Sequence, residues 1–288
     1  MQHTFKADKP CRLSTFLRQN GVSRSLMCAL KQTECGITVN GAPAHTDYML
    51  AAGDIAAINE PSEHDYDITP SPLPAVPVIY EDSELIVFDK PPLMPTHQSM
   101  GHNDDTLANF YAHYTNGSVF RCLNRLDRDT SGCCLVALSR YGVSAVSGTV
   151  SKTYYAVCEG EMPPQGVIDL PIRRCDDSII KRECAPDGQQ ARTLYKTLAV
   201  GRGYSLCEIT LETGRTHQIR VHFSSVGHPL AGDDMYGGSR GDISRQALHC
   251  GRISFITPAD GKRVTVRSPI PQDMRRIDEE LFAGTGDI

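Results

Sequence analysis

Asn124-Arg125-Leu126-Asp127-Arg128-Asp129-Thr130-Ser131-Gly132 is a polar run holding two carboxylates and two arginines, and it leads straight into the apolar stretch Cys133 to Leu138. That stretch reads as a buried strand. Glu84 to Phe88, Tyr154 to Val157 and Val264 to Val266 read as further strands, while Leu206 to Leu211 alternates polar and apolar like a half-exposed one. Strands outnumber long helices and do not alternate with them regularly, so the pattern predicts an α+β fold over a doubly wound one. Asp127 then falls on a loop braced against the core, where a reactive group can be held without being buried. Taken alone, the same run reads as a surface turn with local ion pairs.

A second segment changes its meaning. Thr213-Gly214-Arg215-Thr216-His217-Gln218-Ile219-Arg220-Val221-His222 closes a strand and opens a helix, with Arg220 four residues past Thr216 and therefore on the same side. A carboxylate in a cleft keeps its charge when a cation lies within a few ångströms, and arginine suits that task. Asp127 and Arg220 are thus a candidate pair.

Upstream the chain divides into three regions. In residues 1–59, Leu13, Phe16 and Leu17 have helical spacing that Gly21 ends. Ser23 is the expected N-cap of a second helix carrying Leu26, Met27 and Leu30, stopped at Gly36. Ile37 to Val39 reads as a strand, Asn40-Gly41 as a hairpin turn, and Gly53-Asp54-Ile55 as the start of another strand. Residues 60–77 read as an acidic, proline-rich linker that would let this small module move. Residues 78–288 read as mixed strands and helices and form the third region.

Composition narrows the class. Of 288 residues 40% are hydrophobic, enough for a substantial core, and no stretch approaches the roughly 18 apolar residues of a membrane helix. Met1 to Pro10 lacks the apolar centre of a signal peptide, so a cytoplasmic protein is expected. The eleven cysteines are scattered without a Cys-x-x-Cys pair, which argues for reduced thiols, no disulfides and no metal. A net charge of −5 is unusual for a protein that meets nucleic acid, but its distribution is uneven. Acidic residues crowd between Glu60 and Asp89, and basic ones gather at 121–128, 173–192 and 215–220.

The two segments together are similar to the RluA family of pseudouridine synthases. That family carries His-Arg-Leu-Asp-x-x-Thr-Ser-Gly, matched from Arg125 to Gly132 with Asn124 in place of the histidine. Its Gly-Arg-Thr-His-Gln-Ile-Arg-Val-His is met in full by Gly214 to His222. Lys152-Thr153-Tyr154 resembles its Lys-x-Tyr strand, and Gly227 to Asp233 its Gly-His-Pro-x-x-Gly-Asp loop. Asp89-Lys90-Pro91 and Leu248-His249 match as well. The resemblance implies an isomerase with a mixed, mainly antiparallel sheet and no cofactor. It implies that Asp127 is the nucleophile, that Tyr154 packs on the uracil and helps remove the carbon-five proton, and that Arg220 pairs with Asp127. Arg125 would fill the gap that the everted uridine leaves.

Residues 1–59 resemble the S-four RNA-binding domain through Leu13, Phe16-Leu17, Ser23-Arg24, Val39-Asn40-Gly41 and Gly53-Asp54. That likeness implies phosphate contacts for Arg24 and Lys31, although each is equally an ordinary solvated helix charge. It leans toward ribosomal over transfer RNA as partner, with a monomer as the working state. His217, His222, His228 and His249 are expected to be structural hydrogen-bonding residues, and Gly132 and Gly214 to serve backbone geometry. Two rival readings are weighed. Asp127-x-Asp129 partly resembles the motif of magnesium-dependent aspartyl phosphatases, but there a strand precedes the motif, whereas here it follows. The other rival is a non-catalytic RNA-binding relative, against which the joint presence of Asp127, Tyr154 and Arg220 argues.

Overall fold

Apolar residues alternating along short strands settle which faces of the chain are buried. The computed structural model describes residues 1–283. Its first part holds β1 (Gln2–Lys6), β2 (Cys11–Arg12), α1 (Leu13–Gln19), α2 (Arg24–Leu30), β3 (Ile37–Val39), β4 (Ala42–Pro43), β5 (Met49–Leu50) and β6 (Ile55–Asn59). Four of these strands pair in the order β1-β6-β3-β4. Leu13, Leu17, Leu26 and Leu30 from the two helices pack on Ile37, Val39 and Ile58 of this sheet. Ser23 caps α2 by accepting from the backbone N–H of Leu26 at 3.2 Å. Asn40 and Gly41 both take positive φ, as a tight hairpin turn requires.

The second part contains β7 (Val78–Glu81), β8 (Leu85–Lys90), α3 (Leu107–Tyr114), β9 (Arg121–Cys122), β10 (Ser131–Ala137) and α4 (Arg140–Val146). It continues with β11 (Ser151–Glu159), β12 (Gln165–Asp169), β13 (Ile172–Arg174), β14 (Arg182–Cys184), β15 (Arg192–Gly201) and β16 (Tyr204–Leu211). Last come α5 (Gln218–Ser225), β17 (Leu248–Ile256), β18 (Arg263–Arg267) and α6 (Gln272–Arg275). Ten strands form one sheet, with the path β12-β15-β16-β11-β17-β10-β8-β7, β18 beside β17 and β9 beside β10. Every pairing in it is antiparallel except β10 with β17, where Ser131 lies opposite His249 and Gly132 opposite Cys250. The fold is α+β with a mixed, mainly antiparallel sheet.

Strand β10 is central and buried throughout, as a strand covered on both faces must be. Its Cys133, Leu135 and Ala137 join Leu85 and Val87 on one face, under Phe223 and Ile219 of α5 and Val146 of α4. Its Cys134 and Val136 join Ile86 and Phe88 on the other, under Leu107 and Tyr111 of α3. Farther along that second face, Tyr155 and Val157 are covered by Ile270, Met274 and Ile277. Among the described residues no helix is long and apolar enough to cross a membrane.

Residues 60–77 are irregular, as their prolines require, yet they do not hang free. Backbone bonds tie Asp65 to Gly117 and Ser71 to Asn109, and Glu63 pairs with Arg121. Glu60 is buried, and its carboxylate accepts from the N–H groups of Arg140 and Tyr141 at the start of α4, each at 2.9 Å. His3 lies between Glu60, at 3.3 Å, and Glu84, at 3.1 Å, and its ring packs on Tyr141 with centroids 4.4 Å apart. Tyr141 itself belongs to the core of the first part. The expected mobile connection is therefore replaced by a buried, charged junction between the two sheets.

Burial lowers the pKa of His3, but Glu60 and Glu84 outweigh it and raise the value from 6.5 to about 9. Stability from this group is present in full below 6.5 and is lost as pH rises through about 9. Between pH 7 and 10 the melting temperature of the native protein should fall more steeply than that of His3→Gln. Parallel curves by calorimetry would show that the junction contributes nothing.

Candidate active site

Asp127 sits on the loop joining β9 to β10, and the backbone of that loop is held from several sides. The Thr96 hydroxyl donates to the carbonyl of Leu126 at 2.8 Å and accepts from its N–H at 3.2 Å. The Asp127 carbonyl accepts from Thr130 N–H at 3.1 Å. The Lys90 ammonium donates to the carbonyls of Pro91, Met94 and Arg128, and Arg245 donates to that of Asp129 at 3.1 Å. Lys90 is fully buried, and burial pulls its pKa down to about 8 against the opposing charges of Asp127 and Asp129. Asp273 grips Arg245 in turn, at 2.6 and 2.9 Å. Gly132 ends the loop with φ +107°, and a Cβ there would meet the Cys250 carbonyl at 2.3 Å, so only glycine lets β10 approach β17.

The carboxylate of Asp127 faces α5. Arg220 Nη1 donates to Asp127 Oδ2 at 3.2 Å, and Arg220 Nε and Nη2 bind both oxygens of Asp233 at 2.7 and 2.8 Å. Arg220 is 6% exposed and Asp233 1%, so the bidentate pair is dry and fixes the direction of the remaining nitrogen. The guanidinium also stacks over Tyr236, 5.0 Å from the ring centre. Burial lowers the Arg220 pKa, but Asp233 and Asp127 outweigh it and raise it further. His217 Nε2 lies 3.9 Å from Asp127 Oδ2.

These groups open into a cleft of about 750 Å³ whose walls include Arg125, Asp127, Lys152, Tyr154, His217 and Arg220. Tyr154 is buried at its side, and burial drives the phenol pKa well above its usual value. A carboxylate with a pre-aimed cation, an aromatic wall and an exposed arginine at the rim can hold a planar base beside a nucleophile.

The profile of the RNA pseudouridylate synthase family matches residues 84–225. Over 268 residues the chain is 38% identical to the uncharacterized RNA pseudouridine synthase YjbO of Bacillus subtilis, covering 89% of this chain and 94% of that one. The chain belongs to the RluA-type RNA pseudouridine synthases. It is therefore an isomerase that acts on uridine in RNA. The synthase is also 35% identical to ribosomal large subunit pseudouridine synthase D of Neisseria meningitidis, over 85% of this chain and 71% of that one. Among solved structures, human RNA pseudouridylate synthase domain containing 1 is similar with a TM-score of 0.57 and 25% identity, over 71% of this chain and 86% of that one.

Of the residues singled out from the sequence, the fold of the synthase brings Asp127, Tyr154, Arg220 and Arg125 to one cleft. Arg24 opens α2 and Lys31 follows its end, both exposed and outside the cleft walls. Helix α5 begins at Gln218, so Thr216 precedes it and the shared helical face with Arg220 does not exist. His222 bonds Thr193 and the Leu170 carbonyl, His228 the Glu159 carbonyl, and His249 Ser131 and the Ser268 carbonyl. Gly214 has open space where a Cβ would stand and no positive φ, so nothing in the fold explains it. Among the described residues no three His, Cys, Asp or Glu side chains are grouped to hold a metal ion.

Asn124 borders the cleft, and its side-chain amide is spent on strand β10. Its amide donates to the Cys133 carbonyl at 2.9 Å and accepts from Leu135 N–H at 2.7 Å, all of it buried. Asn124→Ala leaves both backbone groups unpaired, which should cost about 1–3 kcal/mol in urea unfolding. An unchanged midpoint would contradict the strand-clamp role.

Proposed function

We propose that the synthase modifies uridine in large-subunit ribosomal RNA, with Asp127 as nucleophile and without a metal or other cofactor. The observation that carries the assignment is the Arg220–Asp127 contact at the floor of the cleft, with Arg220 itself immobilised by Asp233. Charge on Asp127 is compensated there without a bound ion. Tyr154 has the role of a packing surface for the uracil. A phenol held this firmly protonated by burial is a poor base, so removal of the carbon-five proton falls to another group or to water.

Arg125 is exposed at the rim beside Asp127 and is assigned to the helix gap left when uridine swings out. Residues 1–59 are assigned as an S-four-like RNA-binding module, whose Arg24 and Lys31 contact phosphates. The names of the Neisseria relative and of a second one from Zymomonas mobilis, 34% identical over 71% of this chain, support ribosomal RNA over transfer RNA. The enzyme is assigned to the cytoplasm and to a single chain.

Tritium release from RNA carrying carbon-five-labelled uridine tests the chemistry. Asp127→Asn should reduce release at least about 10³-fold, and a metal chelator should leave the native rate unchanged. Native protein that binds folded ribosomal RNA without any release would make it a binding relative instead. For the module, replacing Arg24 and Lys31 together with alanine should reduce the slope of log affinity against log salt by roughly 1.5. An identical slope would remove both residues from the RNA interface.

A further inference from the structure

His217 lines the cleft and has no part in the roles of Asp127, Tyr154 and Arg220. It stands just before α5 with φ +57°, a left-handed conformation that costs a histidine some strain. Its side chain is 10% exposed, and its ring forms part of the cleft wall. Nδ1 lies 2.8 Å from the Tyr236 hydroxyl, while Nε2 faces Asp127.

The neighbours determine where the imidazole proton resides. Tyr236 Oη accepts from the backbone N–H of Arg182 at 3.0 Å. If it also accepted from Nδ1, the proton of this buried phenol would have no acceptor among the described residues. The arrangement that satisfies every group has the phenol donating to Nδ1, which leaves a neutral ring with its proton on Nε2. Burial lowers the His217 pKa, as do Arg220 and Arg182, against Asp127 and Asp233, so neutrality is consistent with all the charges around it.

We propose that His217 is a catalytic residue whose Nε2–H donates a hydrogen bond to a carbonyl oxygen of the bound uracil. The proposal rests on Asp127 being the reacting carboxylate. Negative charge reaches that oxygen by either route. If the C1′–N1 bond breaks first, its electron pair leaves on the uracil and spreads over N1 and the carbonyls. If Asp127 adds first at C6, the C5=C6 pair moves onto O4 as an enolate. In the first route Asp127 holds C1′ as an ester that C5 then displaces; in the second C1′ passes from N1 to C5, and the Asp127–C6 bond breaks as the C5=C6 bond re-forms. In both the C5 proton departs and N1 gains one from solvent, while His217 keeps its own proton. A neutral donor fits this position, because a protonated ring would pair with Asp127 and weaken it as a nucleophile.

Three variants and one spectrum test the idea. His217→Leu should lower the single-turnover rate roughly 10²–10³-fold, the usual effect of removing one such donor, with RNA affinity changed less than about threefold. His217→Gln, which returns an N–H near the place of Nε2, should recover at least about tenfold of that loss. Tyr236→Phe removes the proton that fixes the tautomer and should cost about tenfold. Nitrogen-15 spectra of the native protein should show Nε2 protonated and Nδ1 bare, a signature that no folding defect can imitate. The proposal is overturned by Nδ1–H in the native spectrum, by a leucine variant at native rate, or by a folded glutamine variant no faster than the leucine one. Tritium release that survives Asp127→Asn would sink the reading of Asp127 itself, and is measured separately.

Discussion

Arg220 is held by Asp233 before it ever meets Asp127. Two nitrogens of its guanidinium are committed to a carboxylate that sees almost no water, and the planar group can then point its third nitrogen in only one direction. A buried pair of this kind contributes little net stability, since desolvation offsets most of the attraction. Its return is geometric. The aim of the nucleophile follows from an arginine that cannot turn.

The loop bearing Asp127 obeys the same logic through its backbone. Carbonyls of Leu126, Asp127, Arg128 and Asp129 are each taken by a different donor, two of them cations from distant parts of the chain. A buried cation with backbone carbonyls as partners is well satisfied and directional, whereas a loop held only by side-chain packing would tolerate shifts of an ångström. Such shifts are costly where reacting atoms must meet.

Local features were legible in the sequence because local chemistry creates them. Ser23 caps α2, Asn40-Gly41 turns the hairpin, and the apolar run after Gly132 is the central strand. Strand β1 was not legible, since Gln2–Lys6 buries one histidine and little else along its length. Glu60 reads as one more acid in a soluble linker, and only the fold shows it capping α4 and holding His3. The site divides the same way. Asp127 and Arg220 stand inside recognisable motifs, but Thr96, Arg245 and Asp273 act through backbone contacts or pairs that no spacing announces. Asp233 and His217 lay within the motifs too. Their roles needed distances, because a motif names a residue without saying what it touches.

The one parallel pairing in the large sheet has a consequence for how the enzyme is made. Strand β10, which follows the Asp127 loop, leans on β17, and the loop itself is gripped by Arg245. A ribosome releases the nucleophile long before it releases these supports, and Arg220 too comes late in translation. Until then Asp127 lacks its cation, and its loop lacks the grip of Arg245. The nucleophile is therefore aimed only once α5 and β17, far along the chain, have been made.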